Sequence, residues 1–177
     1  MLNNIVGLLD AGIPASTNSY ESIMTVPVTS ATPTISFTAI PATYKHLQIR
    51  YSANCTATGN PTMQFNSDTG ANYSWHILYG QGSTALAAAG AGASFMYLGT
   101  VYQNTSVFNG GVIDILDYAN TNKNKTMRTL CGAENNSAGE IGLFSGNWRN
   151  TNAITSIQIN LTNFTQYSSF ALYGIKG

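Results

Sequence analysis

Charge is what this chain has least of. Lys, Arg, Asp and Glu make up 8% of its 177 residues, against about 25% in an average soluble domain. Seven basic and seven acidic residues cancel, so no field draws in nucleic acid or an anionic membrane surface. Cysteine is nearly as scarce. Cys55 and Cys131 are the two present, and without CxxC spacing they exclude a disulfide framework; buried free thiols in strands are expected. The two histidines, His46 and His76, have no partner at metal-binding spacing, so neither a metal nor another cofactor is expected. Long hydrophobic runs are missing too. The opening "MLNNIVGLLDAG" is interrupted by Asn3, Asn4 and Gly7 and has no basic leader, which argues against a signal peptide or membrane span and for synthesis in the cytoplasm. No glycine-rich phosphate loop follows a strand, because Gly90 and Gly92 lie among alanines.

In place of charge stand Asn, Thr and Ser, about a third of the chain. Thr suits the pleat of a strand and Asn tolerates left-handed turns, whereas all three are poor helix formers. Period-two runs dominate past residue 19. In "TYKHLQIRY", Lys45, Leu47, Ile49 and Tyr51 alternate with Tyr44, His46, Gln48 and Arg50; in "AITSIQINL", Ile157, Ile159 and Leu161 alternate with Ser156, Gln158 and Asn160. Each pattern buries one face. Similar runs near 20–28, 34–39, 62–65, 73–79, 94–101, 111–118, 125–132, 140–145 and 168–175 predict an all-β, antiparallel sandwich, jelly-roll-like, of 8–11 short strands in one domain over 19–177. "GSTALAAAGAGAS" (82–94) has no period and reads as a loop over one end of the sandwich. Residues 1–18 read as an arm. Leu2, Ile5, Val6, Leu8 and Leu9 form a helical stripe too short to be stable alone, so it must dock, on its own sandwich or on a partner.

The letters that could carry catalysis do not assemble. Asp68-Thr69-Gly70 matches the catalytic tripeptide of aspartic proteases, which need two such aspartates sharing a proton. One copy is present, and "NSDTGAN" is a run of turn formers. Asp68 is therefore expected to cap a turn between a strand ending at Phe65 and one carrying Tyr73, Trp75 and Ile77; a homodimeric protease is the remote alternative. Asp114 and Asp117 are three apart in a strand and face opposite sides. Asp114 should sit beside a cation from a neighbouring strand, and Asp117 should begin the turn that ends with Lys123 and Lys125. No catalytic residue is assigned. Among the aromatics, Trp75 shares the register of Tyr73, Ile77 and Tyr79 and reads as core. Trp148, in the polar turn "SGNWRNTN" with Asn147 and Arg149, is the candidate for surface or sugar contact, with packing over the sandwich end as the other reading.

Several blocks taken together, "FTAIPATYKHLQIRY", "FNSDTGANYSWHIL", "VIDILDYANTNKNKT", "SGNWRNTNAITSIQI" and the terminal "SSFALYGIKG", resemble small β-sandwich virion structural proteins of tailed phages of aquatic bacteria, cyanophages especially. Members of that group are often labelled tail-fibre or structural proteins. The resemblance spans about residue 19 to 177. It implies a non-enzymatic virion part assembled in the host cytoplasm, with the major capsid protein or other virion proteins as partners. The low net charge agrees with a chain meant to pack against neighbours. Capsid decoration as a homo-oligomer, a trimer near a local threefold axis, is the expected role, with the arm as anchor. A tail-fibre protein touching host polysaccharide is the alternative. Neither nucleic acid nor membrane is expected as a partner.

Overall fold

A computed structural model of the chain describes residues 19–104, 106–134 and 139–177. The arm and its stripe of Leu2, Ile5, Val6, Leu8 and Leu9 lie outside the described residues. Those described form twelve strands and no helix: β1 (Tyr20–Pro27), β2 (Thr32–Phe37), β3 (His46–Ala53), β4 (Thr62–Phe65), β5 (Tyr73–Gln81), β6 (Thr84–Ala93), β7 (Met96–Tyr97), β8 (Asn109–Leu116), β9 (Lys125–Ala133), β10 (Glu140–Trp148), β11 (Ile157–Phe164) and β12 (Ser169–Ile175). All pairings are antiparallel.

The strands divide into an eight-stranded sheet, β1-β12-β3-β8-β9-β10-β5-β6, and a four-stranded one, β2-β11-β4-β7. The run β1-β12-β3-β8 facing β2-β11-β4-β7 is a jelly roll, with the chain crossing between sheets as a double Greek key. The remaining four strands come from two hairpins. One, β5-β6, leaves between β4 and β7; the other, β9-β10, leaves between β8 and β11. Both attach beyond β8 and extend the larger sheet past the cover of the smaller.

Alternation explains the core. On β3, Leu47, Ile49, Tyr51 and Ala53 point inward and are buried. On β11, Ile157 and Ile159 do the same, until a register shift after Asn160 makes Phe164 the next inward side chain and leaves Leu161 half-buried. Phe164 and Phe170 meet edge to face at 5.0 Å, and Tyr51 stacks on Phe170 at 5.6 Å. Cys55 and Cys131 are buried free thiols, as their sequence context suggests. Burial raises both, and Cys131 is pushed up to about 11 by burial and by the nearby Glu140 carboxylate, so these thiols stay protonated at neutral pH.

Two expectations are corrected. The 94–101 run contributes only the two residues of β7. The 82–94 segment is no loop: β6 pairs with β5 from Gln81↔Thr84 to Tyr73↔Ala93. Ala and Gly are weak strand formers, and it is the partner strand that holds them extended. The legible signal was the two-residue Gly82-Ser83 connection, in which Gly82 takes φ 56° and so permits a tight hairpin. Gly92, at φ 64°, sits where the register shifts by one.

The turn after β8 is held by charge. Asp117 begins it in the left-handed region, φ 47°, and pairs with Lys123 at 2.5 Å and Lys45 at 3.0 Å. Those hydrogen bonds, from Lys123 first, lower its carboxyl to about 2 despite some desolvation. Lys125 is fully buried, and its ammonium donates to the carbonyls of Asn120 (2.6 Å), Lys123 (2.8 Å) and Thr151 (2.9 Å). It ties the β8–β9 turn to the segment after β10. Lys125→Met keeps the volume and leaves three carbonyls short of a donor. A loss of about 2–4 kcal/mol in chemical denaturation is expected; a loss under half a kcal/mol would show that the tie is not needed.

Candidate functional site

The sequence candidates Asn147, Trp148 and Arg149 do not converge on one surface. Successive residues of a strand face opposite sides, so at the end of β10 Asn147 lies on the outer face, donating to the Lys125 carbonyl at 3.3 Å, and Trp148 points inward. Trp148 is 1% exposed, against the expectation of surface contact. It meets Phe65 edge to face at 5.7 Å and stacks on Tyr73 at 6.4 Å. Arg149 is exposed and donates to the Ala71 carbonyl at 2.5 Å. Trp148 and Arg149 staple the 65–72 turn to the sheet end.

Asp68 anchors that turn. Asn66 (φ 51°) and Ser67 (φ 56°) reverse the chain, and the Asp68 amide donates to the Phe65 carbonyl at 2.9 Å. Its carboxylate then accepts from the Gly70 amide at 2.8 Å, from the Asn72 side chain at 2.9 Å, and from the Trp148 indole N–H at 2.7 Å. The indole bond, helped by Asn72 and Gly70 and opposed by desolvation, holds the carboxyl below its ordinary range. The turn reading of Asp68 is therefore met, with one addition: its main partner is the tryptophan eighty residues on. Asp114, on the outer face of β8, accepts from Arg128 of β9 at 3.0 Å and Gln48 of β3 at 2.8 Å. His46 accepts the Asp117 amide at 2.9 Å. Among the described residues no three His, Cys, Asp or Glu side chains come together as a metal site would require, and no helix is long and apolar enough to cross a membrane.

Two surfaces on the sheet extension are built instead. The first is its outer face. Register places Val112 beside Leu130, Leu130 beside Leu143, and Leu143 beside Leu78, one row across β8, β9, β10 and β5. All are exposed, Leu130 at 57% and Leu78 at 56%, and Ile141, two residues from Leu143 on the same face, reaches 64%. Beside the row Gly110, Gly132 and Gly80 are in register with Ile141, and the missing side chains leave a shallow hollow of about 840 Å³. Ser145, Arg128 and Asp114 bound the patch on the other side. Toward β3 the face turns polar, with the Arg50 guanidinium 5.5 Å from the rings of both Tyr20 and Tyr173. Period-two alternation would have put polar residues on the outer positions of β9 and β10; the apolar residues there were the readable signal.

The second surface is a cleft of about 430 Å³ on the inner face, where the four-stranded sheet ends at the two-residue β7 and leaves the far part of β5 uncovered. Trp75, Tyr79, Tyr97 and Tyr102 line it. Trp75, expected in the core, is half-buried. Its indole crosses Gly90 of β6, where a β-carbon would come within 2.5 Å of the ring, and meets Tyr97 edge to face at 4.9 Å. At the other end Gln81 donates to the Tyr102 hydroxyl at 2.6 Å, and that hydroxyl donates to Glu140 at 3.3 Å. The two tryptophans have thus exchanged their expected places. Sequence reasoning missed the cleft because its residues come from strands β5, β7 and β10 and from the segments around 58–60 and 100–102, which only the fold brings together.

Asp68→Asn removes the charge from a carboxylate with three donors and should cost about 1–3 kcal/mol. The sign of the pH effect follows from the lowered folded value. The stability Asp68 contributes is present above its unfolded value of about 3.9 and is lost as pH falls through the folded one. Thermal midpoints of chain and variant should therefore converge as pH drops from about 5 toward 2; a constant gap would remove the ionic contribution. Comparisons with protein-family models, with curated proteins and with solved structures give no match.

Proposed function

We infer that this chain is a non-enzymatic structural subunit of a phage particle, a capsid decoration protein that packs against its neighbours through the outer face of the sheet extension. The observation that carries the reading is the aliphatic row Val112–Leu130–Leu143–Leu78 with Ile141 beside it. Monomeric proteins seldom expose a contiguous apolar patch of more than a few hundred Å² unless it meets a partner. The edge of the larger sheet, unpaired among the described residues, adds to this. Strand β6, "TALAAAGAGA", has neither charge nor proline to discourage pairing, whereas edges of stable monomers usually carry one or the other. A formal net charge of zero removes long-range repulsion between copies.

The resemblance to virion proteins supplies the setting. A jelly roll fits it without proving it, since the architecture serves capsids and lectins alike. In such a role function is buried area. At roughly 25 cal/mol per Å² of apolar surface, each 200 Å² covered contributes about 5 kcal/mol gross, repeated for every copy around the shell. The homotrimer near a local threefold axis, clamped by the arm, belongs to the same proposal. The tail-fibre alternative loses Trp148 as its sugar contact, since an indole packed on Phe65 and Tyr73 has no face to offer a sugar.

Two measurements test this. Quantitative gels of purified particles should show the protein in hundreds of copies; a dozen or fewer would overturn the decoration role. Leu130→Lys with Leu143→Glu, an opposite-charge pair in register at two exposed positions, should leave the thermal midpoint nearly unchanged and reduce particle occupancy at least about tenfold, as expected if a few buried apolar anchors dominate the contact. Normal occupancy of the double variant would mean that another surface makes the contact.

A further inference from the structure

We propose that the inner-face cleft is a binding site for a neutral pyranoside, with Trp75 as the stacking platform and Glu140 as the hydrogen-bond acceptor for ligand hydroxyls. The volume of about 430 Å³ lies within the range of small-molecule sites, about 300–1,000 Å³. A sugar ring needs an apolar surface for its C–H face and polar atoms for its rim, and this cleft separates the two. Trp75 and Tyr97 form one end and the Gln81–Tyr102–Glu140 relay the other.

Two observations distinguish the cleft from an accidental hollow. Glu140 is 9% exposed, yet among the described residues it has no cation partner. Its one side-chain bond from them is the long contact from Tyr102. Neither of its oxygens is sealed from solvent without a partner, so the carboxylate keeps free acceptor capacity for a ligand's hydroxyls. The indole N–H of Trp75 likewise has no acceptor among the described residues, while that of Trp148 is held by Asp68. Donors and acceptors are therefore left over on both sides of a space lined by aromatic rings.

The charge decides the class of sugar. No Lys, Arg or His lines the cleft, so an acidic ligand would meet Glu140 without compensation. Neutral hexosides and their N-acetyl forms are admitted; uronates and sialates are disfavoured. Binding, rather than hydrolysis, is the activity proposed, because the lining holds one carboxylate and glycoside hydrolysis by the common routes uses two. Gly90 belongs to the site as well, since any side chain there displaces the indole. This inference stands whether the chain sits on a head or on a fibre.

The test uses the full chain and the methyl glycosides of glucose, galactose, mannose and N-acetylglucosamine, with methyl glucuronide as the acidic control. The chain has two tryptophans, and with Trp148 buried the acrylamide-quenchable emission reports Trp75. At least one neutral glycoside should protect it, with a millimolar Kd, and the glucuronide should bind about tenfold more weakly. By saturation-transfer NMR, Trp75→Ala should weaken binding at least about tenfold, and Glu140→Gln should narrow the gap between neutral and acidic ligands. The Trp148 emission and thermal midpoint establish that each variant is folded; if Trp75→Ala is not, Gly90→Ala, which pushes the indole aside, takes its place with the same expected loss. No protection by any neutral glycoside up to about 100 mM, or undiminished binding by a folded platform variant, would overturn the proposal and leave the packing role untouched.

Discussion

The antiparallel ladder between β10 and β5 runs without a break from Glu140↔Gln81 to Trp148↔Tyr73. It joins two hairpins that leave the roll at points far apart in the chain, and most of what is distinctive about this protein hangs on it. On its outer side it sets Leu143 beside Leu78. On its inner side it sets Glu140 beside Gln81, where both line the cleft, and brings Trp148 onto Tyr73 at the far end. A one-residue slip would exchange these faces, exposing the tryptophan and burying the leucines. Register here is strongly determined because the inner face is buried at one end by Trp148 and Tyr73, both essentially inaccessible to solvent.

The rest of the molecule supports that ladder from below. Trp148 can be buried with its indole N–H satisfied only because the 65–72 turn delivers the Asp68 carboxylate to it, and the turn can do so only because Asn66 and Ser67 accept left-handed conformations. Asn66 then closes the arrangement from the other side, accepting from the amides of Thr155 and Ser156 at 2.8 and 3.1 Å. Polar residues that look like loose turn formers are therefore fully engaged. With few charges available, buried polar groups such as those of Asn54, Asn109 and Ser168 are met by backbone, amide and hydroxyl partners, and the one buried lysine, Lys125, bonds to carbonyls rather than to an acid.

The division between roll and extension is also a division of roles. The eight strands of the roll hold most of the core, and their outer face carries a polar network of Gln48, Arg50 and Asp114 that reaches Arg128 on β9 of the extension. The extension has a thin inner cover and an apolar outer face, which leaves it with surfaces that the fold does not use. The decoration role proposed for this chain would use such a face to meet its neighbours. The same thin cover opens the aromatic cleft on the opposite side, and Glu140 borders both that cleft and the outer hollow.

Much of this was legible in the chain itself. The scarcity of charge, the period-two runs and the turn clusters determine an antiparallel β fold, because each strand must bury one face whatever its partners. The inward side chains of β3 and the first half of β11, the buried thiols, the capping role of Asp68 and the cation beside Asp114 follow from local pattern alone. What the sequence could not determine was which strand covers which. Trp75 and Trp148 both sit at inward positions, and only the width of the second sheet decides that one is sealed under Phe65 and the other opens on a cleft. The alanines of β6 carry no period, and among the described residues they pair only with β5, so their extended form comes from that partner. Local chemistry chose the elements; the unequal size of the two sheets, a long-range outcome of strand pairing, decided which faces were left for function.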